Sequence, residues 1–160
     1  MPAPEGLFEG PAQFAQWVRE ALQCAAEEGW REMVWSDANF EDWPLRERAV
    51  VDSLNAWAQS GRKLTLLALN FEAIRRLHPR FVTWRVTWDH ILDCRLCKGV
   101  EASDFPSALW SPGWVMRRLD PVRQKGVAGG DARQRLLLRE QLDELYRKSS
   151  AGFASTTLGL

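Results

Sequence analysis

The sequence predicts an α/β domain: a small, mostly parallel sheet with helices on both faces. Three observations predict it. Segments of strand length alternate with segments of helical periodicity, the pattern that builds parallel sheets. The run KLTLLAL at 63–69 is apolar almost throughout, as a strand buried on both faces must be. Pro11, Pro44 and Asp131 precede or open helical patterns, and these residue types belong at a helix start.

The elements follow in order. Residues 1–10 are rich in Pro and Gly and are expected to be flexible. From Pro11, apolar residues recur at Phe14, Trp17, Val18, Ala21, Leu22 and Ala25, one face of a helix that Gly29 stops. Residues 31–36 read as a strand carrying Met33, Val34 and Trp35. A polar loop follows, and Pro44 opens a second helix with Leu45, Val50, Val51, Leu54 and Trp57 on its apolar face. Ser60-Gly61 ends it, and 63–69 is the central strand. A third helical stretch spans 72–90 and is broken at Pro79. Residues 91–96 are a third strand, 114–119 a candidate fourth, and 126–130 a Gly-rich turn. Asp131 with Gln134 three residues later forms a capping-box pattern for a last helix, with Leu138, Leu142 and Leu145 as its stripe. Arg139/Asp143, Asp143/Arg147 and Glu144/Lys148 are opposite charges at i,i+4 along it. The tail 151–160 is apolar enough to dock. The expected organisation is one domain over 11–150 between these two ends.

Composition narrows the function classes. The chain has 160 residues, nine Trp and one Tyr. Its net charge of zero hides a polarity: 1–60 carry 4 basic and 11 acidic side chains, and 61–160 carry 17 and 10. Such a split fits a basic binding face, or an acidic layer folded against a basic one. Three cysteines do not make a disulfide framework. The first residues lack the basic and apolar regions of a signal peptide, and no apolar run reaches membrane-span length. The expectation is a cytoplasmic protein with no membrane partner and no cofactor.

The densest chemistry lies at 75–90, RRLHPRFVTWRVTWDH, which holds both histidines, four arginines and two tryptophans. Arg75, Arg76, Arg80, Trp84, Arg85 and Trp88 form a candidate ligand-binding face, guanidinium groups for phosphates and indoles for bases. The same spacing also describes a helix with one buried stripe and snorkelling arginines. His78 and His90 stand at helix ends, where imidazole caps carbonyls or serves as acid or base. Cys94-Arg-Leu-Cys97 with His90 offers three zinc ligands, one short of a structural site, and small buried hydrophobes fit the pair better. Asp37, Glu41 and Asp42 share a loop and suit turn and cap roles, or metal and acid–base roles. No Gly-rich phosphate loop is present.

Three functions follow. The first is a non-catalytic domain that binds an anionic partner, phosphate-bearing or nucleic acid, through the 75–88 face. The second is a phosphoryl hydrolase or transferase using His78 or His90 with Asp37 or Asn70. The third is a dimerisation or protein-interaction unit built on the tryptophans.

The stretches REMVWSDANFEDWPLRERAVVDSLNAWAQSGRKLTLLALN and GVAGGDARQRLLLREQLDELYRKS, with the element order between them, resemble one half-module of the phospholipase D-like superfamily over about 14–150. The resemblance implies activity from a His-x-Lys-x4-Asp motif after the third strand. The corresponding region here, SALWSPGWVMRRLD, has no histidine. His78-Pro-Arg80 is the nearest shape, but it precedes the third strand and position 85 is Arg. The resemblance therefore implies a degenerate member without phosphodiester chemistry, its basic half left to bind phosphate-bearing ligands.

Overall fold

Strands β1 (Gly6–Glu9), β2 (Glu32–Ser36), β3 (Lys63–Ala68), β4 (Leu92–Leu96), β5 (Ser107–Trp110), β6 (Val115–Asp120), β7 (Lys125–Gly129) and β8 (Ser150–Ala151) join in one sheet. The computed structural model describes residues 2–59 and 61–153. The strand order is β1-β7-β6-β5-β2-β3-β4-β8. Only β2/β3 and β3/β4 are parallel pairings, and the other five are antiparallel. The expectation of a mostly parallel sheet is thus corrected. Parallel neighbours need a long crossover, and the chain supplies one only twice. After β4 it holds just a 3-10 turn, Ala102–Asp104, before β5 returns beside β2. From there it continues by tight hairpins.

Helices α1 (Pro11–Glu28), α2 (Arg48–Trp57), α3 (Glu72–Leu77) and α4 (Pro79–Thr87) cover one face. Helix α5 (Ala132–Arg147) covers the other. Helices do lie on both faces, as expected. The strand alternation feeds both layers: Met33 and Trp35 join the larger core and Val34 the smaller. Gly29 takes the left-handed conformation that ends α1 (φ 70°). Pro79 divides the third helical stretch into α3 and α4. Helix α2 begins at Arg48, later than Pro44 suggested, because Trp43, Pro44 and Leu45 form a buried turn instead. The Asp131 carboxylate accepts from Gln134 N at 2.9 Å. Arg139/Asp143 and Glu144/Lys148 pair as expected, whereas Arg147 turns to Glu144 and leaves Asp143 to Arg139.

Both ends of the described chain enter the sheet. Residues 6–9, expected to be loose, form β1 against β7. At the other end, β8 pairs with β4, and the Phe153 ring stacks on Phe71 at 5.3 Å. The rest of the tail, 154–160, lies outside the described residues, as does Ser60. The Gly-rich segment expected to be a turn is β7 itself. Its glycine is a packing requirement: a Cβ on Gly126 would stand 2.0 Å from the Arg117 carbonyl oxygen and 2.4 Å from the Phe8 ring.

Most tryptophans are spent inside. Trp35, Trp43 and Trp57 are fully buried, and Trp17, Trp30 and Trp88 are half-buried. Trp57 donates to the Trp30 carbonyl at 2.6 Å, Trp110 to that of Arg135 at 2.9 Å and Trp114 to that of Pro4 at 2.9 Å. Trp35, Trp43 and Trp84 bury their indole N–H groups with no acceptor among the described residues. No helix among the described residues is long and apolar enough to cross a membrane.

Candidate functional site

The carboxyl ends of β2, β3 and β4 lie along one edge of the sheet, where open α/β sheets present their loops to ligands. Asp37 follows β2 and is buried. Its Oδ2 accepts from the backbone N–H of Asn39 at 3.2 Å and of Phe40 at 2.8 Å, which turns the chain there and leaves Phe40 at φ 60°. Its Oδ1 accepts from Arg118 Nη2 at 2.9 Å. Arg118, also buried, donates further to Asp42 Oδ2 at 3.1 Å and Ser107 Oγ at 3.0 Å, and its guanidinium lies 4.4 Å from the centre of the Phe14 ring. The turn role read for Asp37 is what the geometry displays. Arg118 was missed, although β6 alternation puts it on the face of Met116, a core-facing position for a cation.

Of the proposed acid–base residues, Asp37 and His78 are buried and meet at Phe40, whereas Asn70 and His90 are exposed. His78 is buried and its Nε2–H donates to the Phe40 carbonyl at 2.8 Å, while Nδ1 has no partner among the described residues. Asp37 and His78 therefore grip the N–H and the C=O of the same residue. Burial lowers the His78 pKa below the usual histidine value, and the nearby Arg46 charge adds to this. Asn70 is exposed and its side chain accepts from Glu72 N at 3.3 Å. His90 is exposed, with its ring 5.9 Å from that of Trp88.

The 75–88 face divides. Trp84 and Arg85 point inward, and a ligand face composed of all six residues is corrected accordingly. Trp84 is 3% exposed and packs on Phe81 at 5.5 Å. Arg85 donates to the Phe153 carbonyl through Nε at 3.2 Å and Nη2 at 2.8 Å, and to Asp89 through Nη1 at 2.5 Å. It anchors the C-terminal segment. Arg75 is exposed, pairs with Glu72 at 3.1 Å and lies 5.0 Å from the Phe153 ring centre. Arg76 and Arg80 are exposed, and Arg80 donates to the Arg46 carbonyl at 2.9 Å. Trp88 is half-buried and its indole donates to Asn55 Oδ1 at 3.1 Å.

These contacts set α2 and α4 side by side and parallel, joined at one end by Arg46 and Arg80 and at the other by Asn55 and Trp88. Between them lies a groove of about 330 Å³, lined by Arg48, Asp52 and Asn55 from α2 and by Arg80, Thr83 and Trp84 from α4. Both helices begin at the arginine end, so their partial positive termini reinforce it. Arg46, Arg48 and Arg76 are exposed and form no ion pair among the described residues. The sequence reading had found Arg80 but not Arg46 or Arg48, which lie in the acidic half of the chain.

The cysteines sit as buried hydrophobes. Cys94 belongs to the larger core and Cys97 to the smaller, on opposite faces. Burial pushes the Cys94 thiol up to about 12 and also raises Cys97, which suppresses the nucleophilic thiolate. Among the described residues, His, Cys, Asp and Glu do not gather in a group that could hold a metal ion.

The fold is shared with solved structures. The chain superposes on TrmBL2, an archaeal chromatin protein whose structure shows a novel mode of DNA binding, with a TM-score of 0.66 and 17% identity. That match covers 93% of this chain and 55% of TrmBL2, so the chain spans about half of its length. It also superposes on NucT from Helicobacter pylori, with a TM-score of 0.59, 12% identity and coverage of 94% of this chain and 99% of that one. No family model matches the chain, and no curated protein does.

Proposed function

We propose that this chain is a degenerate phospholipase D-like half-module that binds a phosphate-bearing polymer, nucleic acid, at the arginine corner where α2 and α4 begin. One observation carries the reading: Arg46, Arg48 and Arg80 gather where the two helices begin, and none of them forms an ion pair among the described residues, the neighbouring Glu47 being held by Arg19. Exposed guanidinium groups at helix starts are suited to phosphate by charge, fork geometry and dipole. The fold shared with NucT fits the phospholipase D-like layout, and the fold shared with a DNA-binding chromatin protein supports nucleic acid as the polymer. Loss of the catalytic motif accords with SALWSPGWVMRRLD, which supplies β5 and β6 without a histidine.

The test is binding of a fluorescently labelled DNA oligonucleotide by anisotropy at about 50 mM and about 200 mM salt. Affinity is expected to fall at least tenfold over that range in the native protein. The Arg48→Ala/Arg80→Ala double variant is expected to bind weakly and to lose about two from the slope of log K against log salt. Binding that ignores salt, or that survives the double substitution, overturns the reading.

A further inference from the structure

The groove between α2 and α4 is polarised along its length, and its far end is built for something other than phosphate. Arg48 and Arg80 stand at the start of the two helices, whereas Asp52 and Asn55 stand one and two turns on. Trp88 fixes the Asn55 amide: its indole donates to Oδ1 at 3.1 Å, so the Asn55 NH₂ group is left to donate elsewhere. Asp52, three residues earlier on the same helix and therefore its neighbour on the surface, supplies acceptors and forms no ion pair among the described residues. Trp84 walls the groove between these two ends and keeps its indole N–H buried. A cationic end and a donor–acceptor end within about 330 Å³ match a ligand that carries a phosphate at one end and a hydrogen-bonding edge at the other.

We infer that this groove receives one nucleotide of a single strand, with its phosphate between Arg48 and Arg80 and its base edge against Asp52 and Asn55. The inference rests on the proposed nucleic-acid reading and narrows it. The volume lies at the small end of small-molecule sites, roughly 300–1,000 Å³, which suits one unit rather than a stacked run. The Watson–Crick edges of a duplex are taken up by pairing, so a base that turns that edge to Asp52 and Asn55 is an unpaired one.

The experiment compares three probes of equal charge: a mixed-sequence DNA single strand, an abasic strand of the same length, and inorganic polyphosphate. The single strand is expected to bind about tenfold or more tightly than the other two, in line with one well-made base contact. Asn55→Asp keeps the acceptor for Trp88 and removes the donors. It is expected to bring the single-strand/abasic ratio close to one. A thermal melt like that of the native protein shows that the fold is kept. Equal binding of all three probes, with normal salt dependence, overturns the nucleotide groove and leaves the phosphate reading standing. A ratio unchanged in Asn55→Asp overturns the assignment of the base end. Absence of salt-dependent binding to any probe overturns both.

Discussion

Arg118 and Asp37 are a buried ion pair whose partners were drawn from opposite halves of the sequence. Removing one member leaves the other charged and out of water, at a cost of about 3–5 kcal/mol. Asp37→Ala is therefore expected to lower unfolding stability by at least about 3 kcal/mol in urea titrations. Asp42→Ala, at a side chain 46% exposed, is expected to cost about 1 kcal/mol or less. Equal losses would mean that the buried carboxylate is not the one that matters. His78 makes a different statement. Its pKa is lowered in the folded protein, so below the ordinary histidine range the unfolded chain binds the proton that the folded one refuses. The stability this neutral imidazole contributes is present above about pH 6.5 and is lost as pH falls toward the depressed folded value. A stability profile from pH 7.5 to 5.5 is expected to slope downward in the native protein and to flatten in His78→Gln, which can still donate to Phe40. Sequence alone revealed the turn at Asp37 and the helix-end place of His78, since both are local. It did not reveal that Arg85 is buried, because the carbonyl it grips belongs to Phe153, 68 residues away.

The helices were legible because their signals lie within a few residues of the ends they mark. Pro11, Gly29, Pro79 and Asp131 fall where the sequence placed them. β3 was legible from its apolar run. β1 and β7 were not: both contain glycine, and what makes them strands is distant pairing, β1 with β7 and β7 also with β6. Gly126 is the point of closest approach, and a methyl group there collides with backbone as well as with Phe8. Gly126→Ala is expected to destabilise by about 3 kcal/mol, read as a lowered urea midpoint. A neutral result would mean that β1 is not held against β7. The C-terminal segment is fastened by Phe153, through its ring on Phe71 and its carbonyl on Arg85. Phe153→Ala keeps the carbonyl but loses the ring, and a loss of about 3 kcal/mol is expected. A value near zero would make the docking incidental.

Across the whole molecule, part of the charge polarity is taken up by ion pairs between the halves. Asp37 and Asp42 meet Arg118, Glu32 meets Arg139 at 3.3 Å, and Glu9 meets Lys125 at 3.4 Å. The acidic first part folds against the basic second. The basic corner is the exception, and two of its members, Arg46 and Arg48, come from the acidic half, so no count by halves could find it. The alternation of elements gave the α/β class and the two layers of helices. It did not give strand direction after β4, because direction depends on whether a connection is a crossover or a hairpin, and the 97–130 loops carry little periodicity. Binding and stability are expected to separate here. The Arg48→Ala/Arg80→Ala protein should melt within about 0.5 kcal/mol per site of the native one while losing the anion, and a large loss of stability would instead assign these arginines to the scaffold.

The pairing of β1 with β7 also has a history in time. The two strands lie about 120 positions apart in the chain, a contact of the most sequence-distant kind and the costliest sort of loop to close. During synthesis at roughly 5–20 residues per second, β1 waits on the order of ten seconds for its partner. Through that interval Phe8 has no Gly126 to rest on, and the backbone of residues 6–9 has no ladder. The edge of the finished sheet is thus the ladder that stays open longest while the chain is being made.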